Sequence, residues 1–320
     1  MRSFGLAFNA RFERWMFLII PGSLVLGFFF SPWLARFVPA VPYLFAYVTL
    51  TMAIGCGFGQ LRAVVRRPGV LMLTFLIAHV LSPLIAYGIG TLFFGADSPY
   101  VVGFVLFTII PLGVSTVLWV GMSGGSIPLM LAMVVIDSAL SPFVVPGGIH
   151  LLFHQAVKTD TWQMIRDLLL IIVIPTIIGV ALYALSKGRI QEAVKPVAAP
   201  VSKLCFVLVV LLNAAAIAPY AEKLGGDLLR LVPLSLAMVG ICYAVGYFGT
   251  MFYRNREVQV TVSYATGMRN ISLGIVLAMG YFSPLTAVPV VLSILIQQPL
   301  ATLHHYVLQK LHKTSSGVEG

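Results

Sequence analysis

Charge is what this sequence has least of. Charged residues make up 9% of the chain and hydrophobic residues 59%. A water-soluble domain of this length could not cover its surface with so little charge, so that class is excluded. Acidic residues number 10 against 20 lysines and arginines, for a net charge of +10. In a soluble protein that excess would suggest nucleic acid. Here the basic residues collect in loops between apolar runs, as loops held on the cytoplasmic side do, and no nucleic-acid partner is expected. Cysteine is equally scarce. Cys56, Cys205 and Cys242 lie in or near apolar segments without metal-ligand spacing and read as small buried hydrophobes. No metal cluster, no Ser-His-Asp set and no nucleotide-binding loop stands out, so neither an enzyme nor a cofactor is expected.

What is present is a series of apolar runs, several long enough to cross a bilayer at roughly 20 residues each. A β-barrel would need shorter, alternating strands. The reading is an all-α membrane protein with ten spans, at 15–35, 40–60, 69–94, 99–122, 126–153, 163–186, 197–219, 230–252, 259–282 and 286–311. The first run is too long for a signal-peptide core and lacks a cleavage pattern. With the N-terminus inside, the inner segments hold Arg2, Arg11, Arg14, Arg62, Arg66, Arg67, Lys187, Arg189, Lys195, Lys203, Arg254, Arg256, Lys310 and Lys313. The outer segments hold Arg36, Lys158, Arg166, Lys223 and Arg230. That asymmetry predicts a multi-pass protein of the cytoplasmic membrane with both termini cytoplasmic. A polar tail, 312–320, carries no packing signal.

The spans divide into two halves of five, 1–153 and 154–311. Five is odd, so the halves face opposite ways. The fourth span of the first half is interrupted at Pro111-Leu112-Gly113-Val114-Ser115-Thr116, and the fourth of the second at Gly267-Met268-Arg269-Asn270. Interrupted helices at matching places in inverted halves point to a transporter binding site. Exposed backbone in hydrocarbon costs several kcal/mol per group, so a break persists only where protein, water or a substrate satisfies it. Pro21, Pro83, Pro111, Pro142, Pro175 and Pro299 also have a plainer reading, as helix kinks. Deep in the spans lie Asp137, Arg269 and His79. Such groups face the interior and find partners. Asp137 with Arg269 is the expected pair, either a structural bridge between spans five and nine or part of the transport machinery. His79 is either a hydrogen-bonded core histidine or a proton carrier.

Arg66-Arg67-Pro68-Gly69 before span three, the proline-glycine break in span four, and Gly267-Met268 followed by Asn270 in span nine, taken in that order, resemble the bile acid:sodium symporter family over nearly the whole chain. The resemblance implies two inverted repeats divided into panel and core domains, with broken helices crossing in the core. It also implies organic-anion substrates, among them bile acids, pantoate-like acids and keto acids. The departures fall on the ion sites. Where the family commonly reads Glu-x-Gly-Met-Gln-Asn, this chain has Ala265 at the Glu position and Arg269 at the Gln position, with Asn270 kept. The Ser-Asn of span four falls on Thr116-Val117, the span-five ligands on Met130 and Val134, and a span-three Gln on His79. The expectation is that the sodium sites are not intact, that Arg269 stands in for the ion, and that Asn270 caps the break.

Transport would then be facilitative, exchange-type or proton-coupled, with His79 or Asp137 titrating. Thr116, Arg269, Asn270, Gln297 and Gln298 are the candidate contacts for a small organic anion, each with helix–helix hydrogen bonding as its plainer role. A sodium-coupled symporter is the first alternative. A non-transporting sensor on the same fold is the second, although no signalling domain accompanies the ten spans.

Overall fold

Helices dominate because in an apolar run only a helix satisfies every backbone group within its own segment. The computed structural model describes residues 2–66, 68–153, 160–219 and 225–316. Arg67, Lys158 and Lys223, used above for charge placement, lie outside those residues. The first half comprises α1 (Arg2–Phe29), α2 (Ser31–Leu34), α3 (Val41–Ala53), α4 (Phe58–Val65), α5 (Pro68–Leu76), α6 (Ser82–Phe94), α7 (Pro99–Ile109), α8 (Thr116–Met122) and α9 (Ile127–Phe153). The second comprises α10 (Thr161–Leu168), α11 (Ile174–Leu185), α12 (Arg189–Ile217), α13 (Leu228–Phe248), α14 (Arg256–Gly267), α15 (Ile271–Tyr281) and α16 (Ala287–Ser316). A π-helical turn, Ile77–Leu81, joins α5 to α6, and another, Leu169–Val173, joins α10 to α11. In each case a proline, Pro83 or Pro175, stands two residues past the turn.

Among the described residues, seven helical stretches are continuous, long and apolar enough to cross a membrane: Ser31–Ala53, Pro68–Phe94, Ile127–Phe153, Thr161–Leu185, Arg189–Ile217, Gly225–Tyr253 and Pro284–Leu311. The protein is a multi-pass membrane protein. Three shorter apolar helices, Leu18–Phe29, Pro99–Ile109 and Ile271–Tyr281, lie where the sequence placed spans one, four and nine. The last two are short because their spans are broken.

Some boundaries differ from the sequence reading. α12 starts at Arg189 rather than 197, because Lys187 and Gly188, both at positive φ (52° and 82°), turn the chain at once into the next helix. α16 carries helix on to Ser316, so residues 312–316 of the expected tail are helical; the rest of the tail is outside the described residues.

Packing sorts the helices into two groups. α12 lies along α1 and α3, and α11 lies on α3. α13 packs on α14 and α16, α16 on α7 and α15, and α6 on α7. α4 and α10 lie on α9, and α12 meets α15 between the groups. Gly246 lets α13 close on α14, where a Cβ would stand 2.9 Å from Ser263 Cα and Val262 O. Outward-facing Phe29, Leu92, Leu151, Leu185 and Leu229 are exposed as lipid-facing side chains are.

Candidate functional site at the helix crossing

α7 stops at Ile109. The residue before a proline is biased to extended backbone, and Ile110 takes φ −60°, ψ 157° ahead of Pro111. α14 stops at Gly267, with Met268 extended at φ −118°, ψ 120°. The two breaks meet as an antiparallel bridge between Leu112 and Arg269. Asn270 N–H donates to Pro111 O at 2.8 Å, and Gly113 N–H donates to Met268 O at 3.0 Å. Each break therefore satisfies backbone groups that the other exposes. Gly113 is required by this approach, since a Cβ there would sit 2.9 Å from Arg269 O. Beyond the bridge, Asn270 (φ −79°, ψ 72°) forms an inverse γ-turn, closed by Ile271 N–H on Arg269 O at 3.0 Å, and α15 begins.

Side chains from other helices complete the crossing. Gln297 of α16 accepts the Arg269 N–H at 2.8 Å. Asp137 of α9 accepts the Leu112 N–H on Oδ2 at 2.7 Å. Arg269, 1% exposed, donates from Nη2 to Ala78 O at 2.9 Å and from Nη1 to Ile110 O at 3.4 Å. The π-turn makes the first contact available. Ser82 N–H bonds back to Ile77 O, and Pro83 has no N–H, so Ala78 O lacks a partner within its own helix. Ile110 O lies at the C-terminal end of α7, where a cation is favoured by the helix dipole.

The expected pairing of Asp137 with Arg269 is not a direct one. Asp137 Oδ1 instead meets His79 Nε2 at 2.6 Å, and His79 Nδ1 meets Ile109 O at 3.1 Å. The guanidinium is taken up by two carbonyls, which reasoning from charge alone overlooks. Asn270 does not cap α15 with its side chain; its backbone makes the bridge instead.

The other candidates divide. Thr116 is buried at the start of α8 with its hydroxyl unpartnered. Asn270 is half-buried. Gln297 is occupied as a backbone cap, a role not legible in sequence. Gln298 accepts from Trp119 Nε1 at 3.0 Å and donates to Ser115 Oγ at 3.4 Å. Met130, Val134 and Ala265 are buried and apolar, and Val117 is half-buried; their side chains offer no oxygen for sodium. A second polar cluster joins α8, α14 and α16: Ser123 Oγ lies 2.9 Å from Tyr264 Oη and 2.8 Å from His305 Nδ1, and His304 bonds Ser263.

The model of the Sodium Bile acid symporter family matches residues 41–219. The chain is 35% identical to the Uncharacterized protein YbaS of Bacillus subtilis (strain 168), over 92% of this chain and 96% of that protein. It is 23% identical to the Uncharacterized sodium-dependent transporter YocS of the same organism, over 83% of this chain and 81% of that protein. It is 24% identical to the Probable sodium/metabolite cotransporter BASS2, chloroplastic, of Oryza sativa subsp. japonica, over 78% of this chain and 58% of that protein. Broken helices that cross and satisfy one another, in a multi-pass chain matched over more than half its length, thus meet a family of transporters rather than enzymes, and the chain belongs to the sodium bile acid symporter family.

Proposed function

We propose that the protein moves a small organic anion bearing a carboxylate across the cytoplasmic membrane by alternating access, without a sodium ion at the helix crossing. The observation that carries this reading is the buried guanidinium of Arg269 on Ala78 O and Ile110 O. A permanent cation supplies the charge an alkali ion would bring, while Ala265, Met130 and Val134 offer no ligand oxygen there. An anionic substrate suits the resulting field. Asn270 and the unpartnered Thr116 hydroxyl are the contacts closest to the bridge in sequence, with Gln298 beside them through Ser115. Arg269 acts on the substrate through its field, since its Nη atoms face helix carbonyls.

In the same reading the chain is two inverted repeats, 1–153 and 154–311, making ten spans with spans four and nine broken. The group of α1, α3, α11 and α12 is the panel, and the helices around the crossing are the core. Both termini are cytoplasmic. Exposed Trp33, at the end of span one, and Trp162, just before span six, then both mark the outer interface.

The test is uptake of radiolabelled pantoate, pyruvate and taurocholate into proteoliposomes, with sodium, pH and potential varied independently. Uptake that is saturable and unchanged when choline replaces sodium is expected. A sodium-coupled symporter is favoured by the words "sodium-dependent" and "sodium/metabolite" in the relatives' names, and uptake rising saturably with sodium at constant ionic strength would establish it. Binding without uptake would make the protein a sensor.

A further inference from the structure

The hydrogen-bond partners of His79 bear on where its protons sit. Nδ1 faces Ile109 O at 3.1 Å, and a carbonyl only accepts, so Nδ1 carries a hydrogen. Nε2 lies 2.6 Å from Asp137 Oδ1. A neutral imidazole with its hydrogen on Nδ1 would present a bare lone pair to a carboxylate oxygen, and two acceptors do not meet at that distance. A second proton therefore sits between Nε2 and Oδ1, whichever atom holds it. The other carboxylate oxygen is committed to Leu112 N–H at 2.7 Å. With that proton in place, the His79–Asp137 pair carries no net charge.

We infer that this shared proton is the coupling ion, taken up once per monoanion of substrate, and that His79 and Asp137 are its binding site. The inference rests on the anion-transport reading and adds its ion and stoichiometry. Charge balance supports it. With the proton bound, the core holds a neutral pair and the Arg269 cation, and one carboxylate brings the sum to zero. With the proton gone, Asp137 and Arg269 cancel and the empty core is again neutral. Both forms can cross the bilayer without a net charge at its centre. The other titratable groups around the pair do not disturb this sum. Cys242 of α13 lies beside Ser82 and Arg269. α7 presents the Ile109 carbonyl, and Phe75 of α5 sets its ring edge-on to the imidazole. On α14, Arg256 and Glu257 stand at the start of the helix and Tyr264 is bonded at Ser123.

The site also has a mechanical link. Loss of the proton leaves Nε2 and Oδ1 facing each other as acceptors, so the contact opens or admits water. The contact joins the π-turn of Ile77–Leu81 to α9, and through Leu112 to the bridge between the broken helices. Proton release thus loosens the crossing, and proton uptake closes it.

Wild type, H79Q and D137N are reconstituted into vesicles, with potential clamped by potassium and valinomycin, and tested with pantoate, pyruvate and taurocholate. An inward proton gradient should drive at least tenfold accumulation of pantoate or pyruvate, unchanged by a clamped potential of either sign. H79Q and D137N should lose proton-driven accumulation, with folding checked separately by a single gel-filtration peak and a cooperative unfolding transition in detergent. Transport without proton-driven accumulation, or accumulation kept in H79Q, overturns the inference and leaves the transporter reading standing. If no probe is transported, that reading fails for these substrates, and the proton site is judged by infrared difference spectra between pH 5 and pH 8 without ligand. Carboxyl or imidazole bands lost in both variants support the site; bands unchanged in H79Q overturn it.

Discussion

Arg269 answers two needs at once, and the side chain that meets them has to be a guanidinium. Its fork reaches Ala78 O on one helix and Ile110 O on another. In R269A both buried carbonyls lose their donor, at about 1–3 kcal/mol each. R269K should recover part of that loss, because one ammonium can reach one carbonyl well and two poorly. The midpoint of thermal unfolding in detergent should rank wild type above R269K above R269A; equal midpoints for the two variants would mean the carbonyl contacts contribute nothing. Gln297 gives a cleaner case. Q297L leaves the Arg269 N–H buried without an acceptor, costing about 1–3 kcal/mol, whereas Q297E keeps an oxygen at the same place. Loss in Q297L and retention in Q297E, by the same unfolding measurement, is the expected pattern.

At the scale of elements, the protein works by interrupting its own helices. The breaks at 110–115 and 268–270 expose backbone that their mutual bridge, Asp137, Gln297 and the Arg269 guanidinium help to satisfy. G113A should push Arg269 O away and open the bridge, lowering both unfolding midpoint and uptake. G88A is the control, because its Cβ would meet nothing within 4 Å and alanine raises helix propensity by up to about 1 kcal/mol. Equal behaviour of the two variants would show that the bridge does not depend on close approach at Gly113. The π-turn before Pro83 works in the same way, freeing a carbonyl in one helix for a cation carried by another.

For the whole molecule, the proposed orientation is testable without any substrate. With the natural cysteines replaced, D97C should react with a membrane-impermeant maleimide added to intact cells, and K187C only after the membrane is opened; both positions are exposed. The reverse pattern would invert the protein and with it the direction of the proton path. The orientation rests on basic residues collected between the spans, and so belongs to the chain as a whole.

The sequence by itself determined a helical membrane protein, its family, the sites of both breaks and the three deep polar residues. These follow from local composition: apolar run length, Pro111 and Gly113 in one break, Gly267 in the other, and charge at Asp137, Arg269 and His79. It did not determine how those residues pair. Opposite charges suggested Asp137 with Arg269, yet Asp137 meets His79 and Leu112 N–H while Arg269 meets carbonyls. It also did not assign the bridge to the backbone of Asn270, or a capping role to Gln297. Backbone carbonyls carry no signature in a sequence, because every residue has one. Which of them lack a partner depends on the π-turn, the helix ends and the neighbours that approach them, and those are properties of the tertiary structure alone.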